Sequence, residues 1–414
     1  MALDRRSFIA GAAGLVAAQA VSADESARPV LHRGINLWPW FSLTREFPAP
    51  RTDYAWPPFQ LDRPVPVPRD LALLRRIGFD FARIPLDPGP FLAALPPQRE
   101  QLIAQVMDAV RLTLEHDLAV VVNVQANAAT HHWTPQRMFA SVDAPAFPAY
   151  RDLVAELAMR LGDIGSRRVV LEPVNEPFQV CGATEWTRVQ AELLGAARRA
   201  APGLTLVATG SCGSMIDGLE KLSARALAAF GPLLFTFHFY EPYLFTHQGA
   251  PWMTGEPIYR ALNAVPWPAQ RGSLDATLAA VRARMAVLGQ PADGSGRAVY
   301  AETERVLKVY FDAQPDRPFI DSYLRRVRDW GAREGVAPGR ILLGEFGALR
   351  SDARYVASGA ADRARYIRDV RQSAEAFGFP WAYWNLFDGF SLFESDVTRQ
   401  PDPAIVSALG LVMP

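Results

Sequence analysis

The sequence predicts an α/β chain folded as a (β/α)8 TIM barrel, with a helical insertion after the sixth strand. Three observations carry this reading. Eight short apolar runs alternate with amphipathic stretches of helical spacing. The third run, "LAVVVNVQ" at 118–125, is apolar without alternation, as befits a strand of a parallel sheet covered on both faces. The 414 residues also suit a barrel with long loops. A doubly wound open sheet is the alternative. No Gly-rich phosphate loop follows the first strand, which counts against its nucleotide-binding form.

The elements follow in order. "DRRSFIAGAAGLVAAQAVSADE" pairs Arg5 and Arg6, then runs through small, mildly apolar residues to Val21-Ser22-Ala23. It resembles a twin-arginine export signal over residues 1–23, cleaved after Ala23 or Ala20, and is too short and Ala/Gly-rich to span a membrane. The barrel domain is expected over 30–414. Strands are expected at 31–38, 79–86, 118–125, 168–177, 204–210, 233–240, 340–347 and 380–388. Between them, helical spacing marks 69–78, 98–117, 149–162, 184–200, 319–334 and 362–378, with a closing helix at 402–410. Leu102, Val106, Val110 and Leu114 recur on one face of the second of these helices, and Thr184 is placed to cap the fourth. The stretch 241–316 breaks the rhythm and holds two further helical patterns. It should lie on the active-site rim with the Pro- and Trp-rich loop 39–68.

Composition narrows the partners. Lys plus Arg equals Asp plus Glu at 43 each, so neither nucleic acid nor an anionic membrane is expected, and a neutral ligand suits the chain better. No stretch has the length and apolarity of a membrane span. Cys181 and Cys212 each follow a predicted strand; an exported chain permits their pairing, and spacing alone leaves it open. Nothing in the sequence bears on oligomeric state.

In such a barrel the C-terminal strand ends line one mouth. Here those ends carry Asn36 and Trp38, Arg83, Asn123 and Gln125, Asn175 and Glu176, Thr209, His238 and Tyr240, Glu345, then Trp384 and Asn385. One polar strand end is unremarkable structure; eight together are hard to explain as core. Glu176 and Glu345 would face each other although about 170 residues separate them. Two carboxyls across a mouth suggest glycoside hydrolysis, one protonating the leaving oxygen while the other attacks the anomeric carbon or activates water. Their environments must then split their proton affinities. Arg83 would keep Glu345 ionised, Asn175 would bond a sugar hydroxyl, Tyr240 would orient the nucleophile and His238 would relay protons. Trp384 would form a platform under a pyranose ring. Glu172, at even spacing from Glu176, reads as a structural acid paired with an Arg of a neighbouring strand.

"VNEP", "HFY", "GEFG" and "YWNLFDG", with "RGINL" and "ARIP" before them, resemble glycoside hydrolase family 5, the cellulase-type family, from about residue 31 to 410. The resemblance implies Glu176 as acid/base and Glu345 as nucleophile. It places Arg83, Asn175, His238, Tyr240 and Trp384 around them, and it implies retention of configuration, a β-linked poly- or oligosaccharide substrate, and no metal or organic cofactor. One departure stands out. The family pattern carries a His at the end of strand three, where this chain has Asn123-Val124-Gln125, so Gln125, His131 and His132 are the candidates to take its place.

Rival readings use the same residues. A transglycosylase would complete the second step with a sugar hydroxyl, and a non-catalytic polysaccharide-binding barrel would hold a chain without cutting it. His131, His132 and His238 lack zinc-site spacing, and "ATGSCGS" is not a nucleophile elbow. Trp38, Trp40, Trp252 and Trp267 are possible sugar platforms or packing residues.

Overall fold

The computed structural model describes residues 29–289 and 294–413. The expected export signal at 1–23 lies outside the described residues. Eight parallel strands close into a barrel: β1 (Arg33–Asn36), β2 (Phe81–Leu86), β3 (Ala119–Val124), β4 (Val169–Glu172), β5 (Thr205–Thr209), β6 (Leu233–His238), β7 (Ile341–Phe346) and β8 (Trp381–Tyr383). Each strand pairs with its neighbours in sequence order, and β8 pairs with β1 to close the ring. Closure disposes of the doubly wound alternative.

The long helices lie where the periodicity places them, including Pro96–Glu115, Phe147–Asp163, Thr184–Ala200 and Ala360–Ala376. Their apolar faces pack on the outward side chains of the strands in one continuous core. Thr184 is not the cap expected of it. Ala183 holds that position, and the Thr184 hydroxyl donates to Glu185 instead. Among the described residues, no helix is long and apolar enough to cross a membrane.

Inside the barrel, strand alternation makes two layers. At the N-terminal end Leu31, Phe81, Ala119, Val121, Val170, Val207, Leu234, Leu342 and Ala382 form a separate apolar cluster. The Phe81 ring occupies the space that a Cβ on Gly34 would need. Two residues further along the same strands, the inward positions become Arg83, Asn123, Glu172 and Thr236, all buried.

Two loops build the rim. The 39–68 segment, expected as loop from its Pro and Trp content, folds a short antiparallel hairpin, Thr44–Glu46 against Tyr54–Phe59. The 241–316 insertion carries the expected helices at Leu274–Val287 and Gly294–Ala313. Nearer the barrel it has two single turns, Tyr243–Thr246 and Ile258–Ala261. Cys181 and Cys212 form a disulfide that joins the loops after β4 and β5.

Candidate active site

The mouth of the barrel rests on one guanidinium. Arg83, fully buried, uses all five of its N–H donors. It holds Glu172 bidentately, from Nε at 2.7 Å and Nη2 at 2.9 Å. It also donates to Asn36 Oδ1 at 2.9 Å, Glu345 Oε1 at 2.8 Å and Asn175 Oδ1 at 2.7 Å. Glu172 is therefore a paired structural acid, although its Arg comes from β2, two strands away, and not from a neighbouring strand. Arg83 cannot itself contact a ligand, so its expected place among substrate-binding residues becomes a positioning one. Asn36 is corrected in the same way. It is fully buried, and its amide donates to the Gly344 and Tyr383 carbonyls beneath the cavity.

Glu345 reaches the mouth through an irregularity in β7. Phe237 pairs with Leu343 but His238 pairs with Glu345, so one residue, Gly344, is extra. The β8 side shows the same slip, with Trp381 opposite Leu343 and Tyr383 opposite Phe346. Such a bulge re-aims the side chain that follows it. A Cβ on Gly344 would lie 2.5 Å from Thr236 Oγ1 and 3.0 Å from His238 Nε2, so the extra residue has no room for a side chain. Glu345 then receives hydrogen bonds from Arg83 and from the Tyr240 hydroxyl, the latter at 3.0 Å.

Glu176 arrives differently. β4 ends at Glu172, not at the expected Pro177, and Glu176 sits in the following loop with a left-handed backbone (φ 43°). A non-glycine residue held there is strained, which the surrounding loop must sustain. Its carboxylate is 39% exposed, against 5% for Glu345, and its Oε1 lies 2.7 Å from His238 Nδ1. His238 Nδ1 is also 3.7 Å from Glu345 Oε2. One ligand-type atom from each of Glu176, His238 and Glu345 falls within 4.8 Å of the others. Three such groups could chelate a cation. The Arg83 charge already at Glu345 disfavours a second positive ion at that spot.

The electrostatics differ from the sequence expectation. Burial raises the Glu176 carboxyl, but the His238 hydrogen bond and the His238 and Arg83 charges outweigh it, and the group sits below the usual range. Burial pushes Glu345 above its ordinary value, against the pull of His238 and Arg83. Burial lowers His238, yet the Glu345 charge and the Glu176 hydrogen bond leave it raised overall. Burial and the neighbouring carboxylates hold Tyr240 protonated as a donor. The split therefore runs opposite to a raised Glu176 beside a lowered Glu345. His238, whose proton affinity is raised, lies a hydrogen bond from Glu176 at 2.7 Å.

Over this cluster opens a cavity of about 400 Å³, lined by the pair, Tyr240, Gln125, Trp38 and Trp384. Trp38 and Trp384 face each other at 6.3 Å between ring centres, tilted 42°. Asn175 is buried, fixed through its Oδ1 by Arg83, and is not among the residues that line the cavity. The loop-three histidines are elsewhere. His131 lies against Glu46 and the Arg51 carbonyl, His132 rests edge-on against Trp133, and neither lines the cavity. Gln125 alone of the three candidates does, with its Oε1 buried and unpartnered. Trp252 joins the wall, whereas Trp267 is fully buried and bonded to Asp369, a packing residue.

Sequence reading missed Tyr243 and His247 of the insertion, and Asp388 and Phe390 after β8, all of which line the cavity. "FDG" was visible only as part of a motif; nothing in "YLFTHQ" marks His247. A larger hollow of about 790 Å³ opens at the other end of the barrel, beside Leu31, Leu234 and Trp381. It holds neither of the paired glutamates, and volume without convergent chemistry does not make a site.

Comparison with known proteins agrees with this geometry. The profile described as cellulase (glycosyl hydrolase family 5) matches residues 63–389. Endoglucanase 3 of Fibrobacter succinogenes is 23% identical over 255 residues, 60% of this chain; the match spans 34% of that longer protein. Among solved structures, Thermotoga maritima Cel5A, crystallised with mannotriose, superposes with TM-score 0.67 at 20% identity, covering 93% of this chain and 99% of that one. The cellulose synthase subunit Z of Clostridioides difficile gives TM-score 0.63 at 19% identity, covering 92% and 99%. At these identities the superpositions speak to the fold.

Proposed function

Because the chain belongs to the cellulase family, glycosyl hydrolase family 5, we propose that it is an exported β-glycosidase. It hydrolyses a β-linked glucan, mannan or related poly- or oligosaccharide with retention of configuration. The observation that carries this reading is the separation of the two carboxylates, whose oxygens approach within 4.8 Å. That is close to the roughly 5–5.5 Å of retaining enzymes, and short of the roughly 6.5–9.5 Å an inverting enzyme needs to admit water between them. The relative named as an endoglucanase and the fold neighbour solved with mannotriose favour glucan- or mannan-type substrates.

In the first step a Glu345 oxygen attacks the anomeric carbon as the glycosidic C–O bond breaks. The leaving oxygen takes a proton from Glu176. In the second, water gives a proton to Glu176 and attacks the same carbon, releasing Glu345. Arg83 and Tyr240 fix Glu345, so that its lone pairs are presented in one direction. His238 supplies the proton Glu176 must carry. Moving it from Nδ1 to Oε1 across 2.7 Å leaves the total proton count unchanged, so the resting and reactive forms are two microstates of one titrating couple. Trp384 seats the sugar ring, and Asn175, its oxygen committed to Arg83, has its amide N–H groups left for a hydroxyl. The disulfide between Cys181 and Cys212 accords with export to an oxidising compartment.

Reducing-end release from β-glucans and β-mannans tests the activity, and NMR of the first product tests the stereochemistry. A β-anomer is expected first, and an α-anomer would refute retention. Glu345→Gln should lower turnover on the order of 10⁴-fold or more with melting nearly unchanged; a variant keeping most activity would remove Glu345 from the mechanism. Added sugar acceptors separate hydrolysis from transglycosylation by the products formed.

A further inference from the structure

His247 comes from the insertion, stands in the cavity wall, and has no role in the chemistry above. Its ring is gripped on several sides. Tyr243 stacks on it at 4.6 Å, Tyr240 and Trp252 meet it edge-on at 5.2 and 6.5 Å, and Phe390 lies tilted at 5.7 Å. A ring so held cannot turn over freely, and its two nitrogens have different fates.

Nδ1 lies 2.9 Å from Thr246 Oγ1, and that same hydroxyl lies 2.6 Å from the Tyr240 carbonyl. A carbonyl can only accept, and a hydroxyl has one proton to give. The Thr246 proton therefore goes to Tyr240 O, and the Nδ1 contact is favourable only if His247 donates to Thr246. Nδ1 carries the proton. Burial also pushes the ring's proton affinity down to about 4, against the pull of Glu176, so the imidazole stays neutral near pH 7. Nε2 is then a bare lone pair, without a partner among the described residues, on a ring that lines the cavity.

We infer that His247 is a specificity-determining residue: an acceptor-only imidazole whose Nε2 takes a hydrogen bond from a hydroxyl of the sugar seated beside Tyr240. A substrate with a hydroxyl at that position is read. One with an ether, a hydrogen or a carboxylate there leaves the lone pair unmatched or repelled. The inference rests on the glycosidase reading and narrows its substrate class to neutral, hydroxyl-bearing glycans.

Two measurements test it. The first is independent of turnover. Long-range ¹H–¹⁵N correlation on histidine-labelled protein should show a protonated Nδ1 and a bare Nε2 on His247 at pH 6–7. A proton on Nε2 overturns the inference. The second uses 4-nitrophenyl β-cellobioside and β-mannobioside with their monodeoxy derivatives. His247→Phe keeps the aromatic packing and should lower kcat/KM about tenfold on the parent glycoside. His247→Gln, whose Oε1 reaches the place of Nε2, should restore most of the loss. The Phe penalty should vanish on the one deoxy derivative that lacks the hydroxyl being read. An equal penalty on every derivative marks a packing role and overturns the inference. If the wild type cleaves none of these glycosides or the polymers above, the glycosidase reading fails and the sugar-reading role with it, whichever tautomer the spectrum shows.

Discussion

The two ends of the barrel interior are built on the same strands, two residues apart, and have opposite chemistry. On β2, Phe81 faces the N-terminal layer and fills the space above Gly34, while Arg83 faces the C-terminal layer and gathers two carboxylates and two amides. On β3 the step is from Val121 to Asn123, on β4 from Val170 to Glu172, and on β6 from Leu234 to Thr236 and His238. The lower layer needs only matched volumes. The upper one needs every charge met by another, because an unpaired buried charge costs several kcal/mol. One end can thus change in shape without touching the chemistry, and the other cannot.

Paired substitutions on β2 break this comparison most directly. Arg83→Met should have the largest effect, since Glu172 would remain buried without its partner and Glu345 would lose one of its two donors. A stability loss of about 3–5 kcal/mol by chemical denaturation is expected, together with loss of most turnover per folded molecule. Phe81→Ala should cost a similar amount, about 3–5 kcal/mol, by leaving a cavity, yet kcat of the folded fraction should stay within about twofold. If Phe81→Ala lowers kcat as far as Arg83→Met does, the two layers are not separable.

A smaller and more local effect is expected at the bulge. Gly344→Ala puts a methyl group 2.5 Å from Thr236 Oγ1 and 3.0 Å from His238 Nε2. Relieving that overlap should cost about 1–3 kcal/mol of stability. His238 sits between the two glutamates, so kcat should fall while KM moves little. A variant with unchanged kcat would mean that the bulge, not the absence of a side chain, is what matters at this position.

The sequence made the barrel legible because its signals are local: apolar runs of strand length, helical spacing between them, and polar residues at equivalent strand ends. Whereas Glu176 and Tyr240 lie in the loops just beyond their strands, Glu345 and His238 could be placed at the mouth for the same reason, each closing a motif at a strand tip. Asn36 and Arg83 share that position but are committed beneath the cavity, since inward direction says nothing of depth. Other features depend on contacts between segments distant in the chain. His131 could be assigned to the Glu46 hairpin, and His247 to the wall, only once the rim loops had met. Nor could spacing show that burial raises Glu345 while His238 lowers Glu176, since that order reflects how three side chains divide one proton.

The gentlest way to sharpen the comparison changes only pH, and it acts on the upper layer alone. In the proposed mechanism Glu345 must be ionised to attack. Glu345 is raised, so activity should be present above its value and fall as pH drops through it, on a limb above the ordinary 4.5 of a glutamate. The His238–Glu176 couple must hold one proton. His238 is raised too, so that proton should be lost as pH climbs through a value above the ordinary 6.5 of a histidine. The profile of kcat/KM against pH should be a bell shifted upward on both sides. His238→Gln removes the proton store and the positive charge together. Glu176 alone must then keep the proton, which moves the alkaline limb down, and Glu345 loses a cation that favoured its ionised form, which moves the acid limb up. The bell should narrow from both sides. An alkaline limb that stays in place in His238→Gln would take the imidazole out of the proton path and leave Glu176 to hold its own proton.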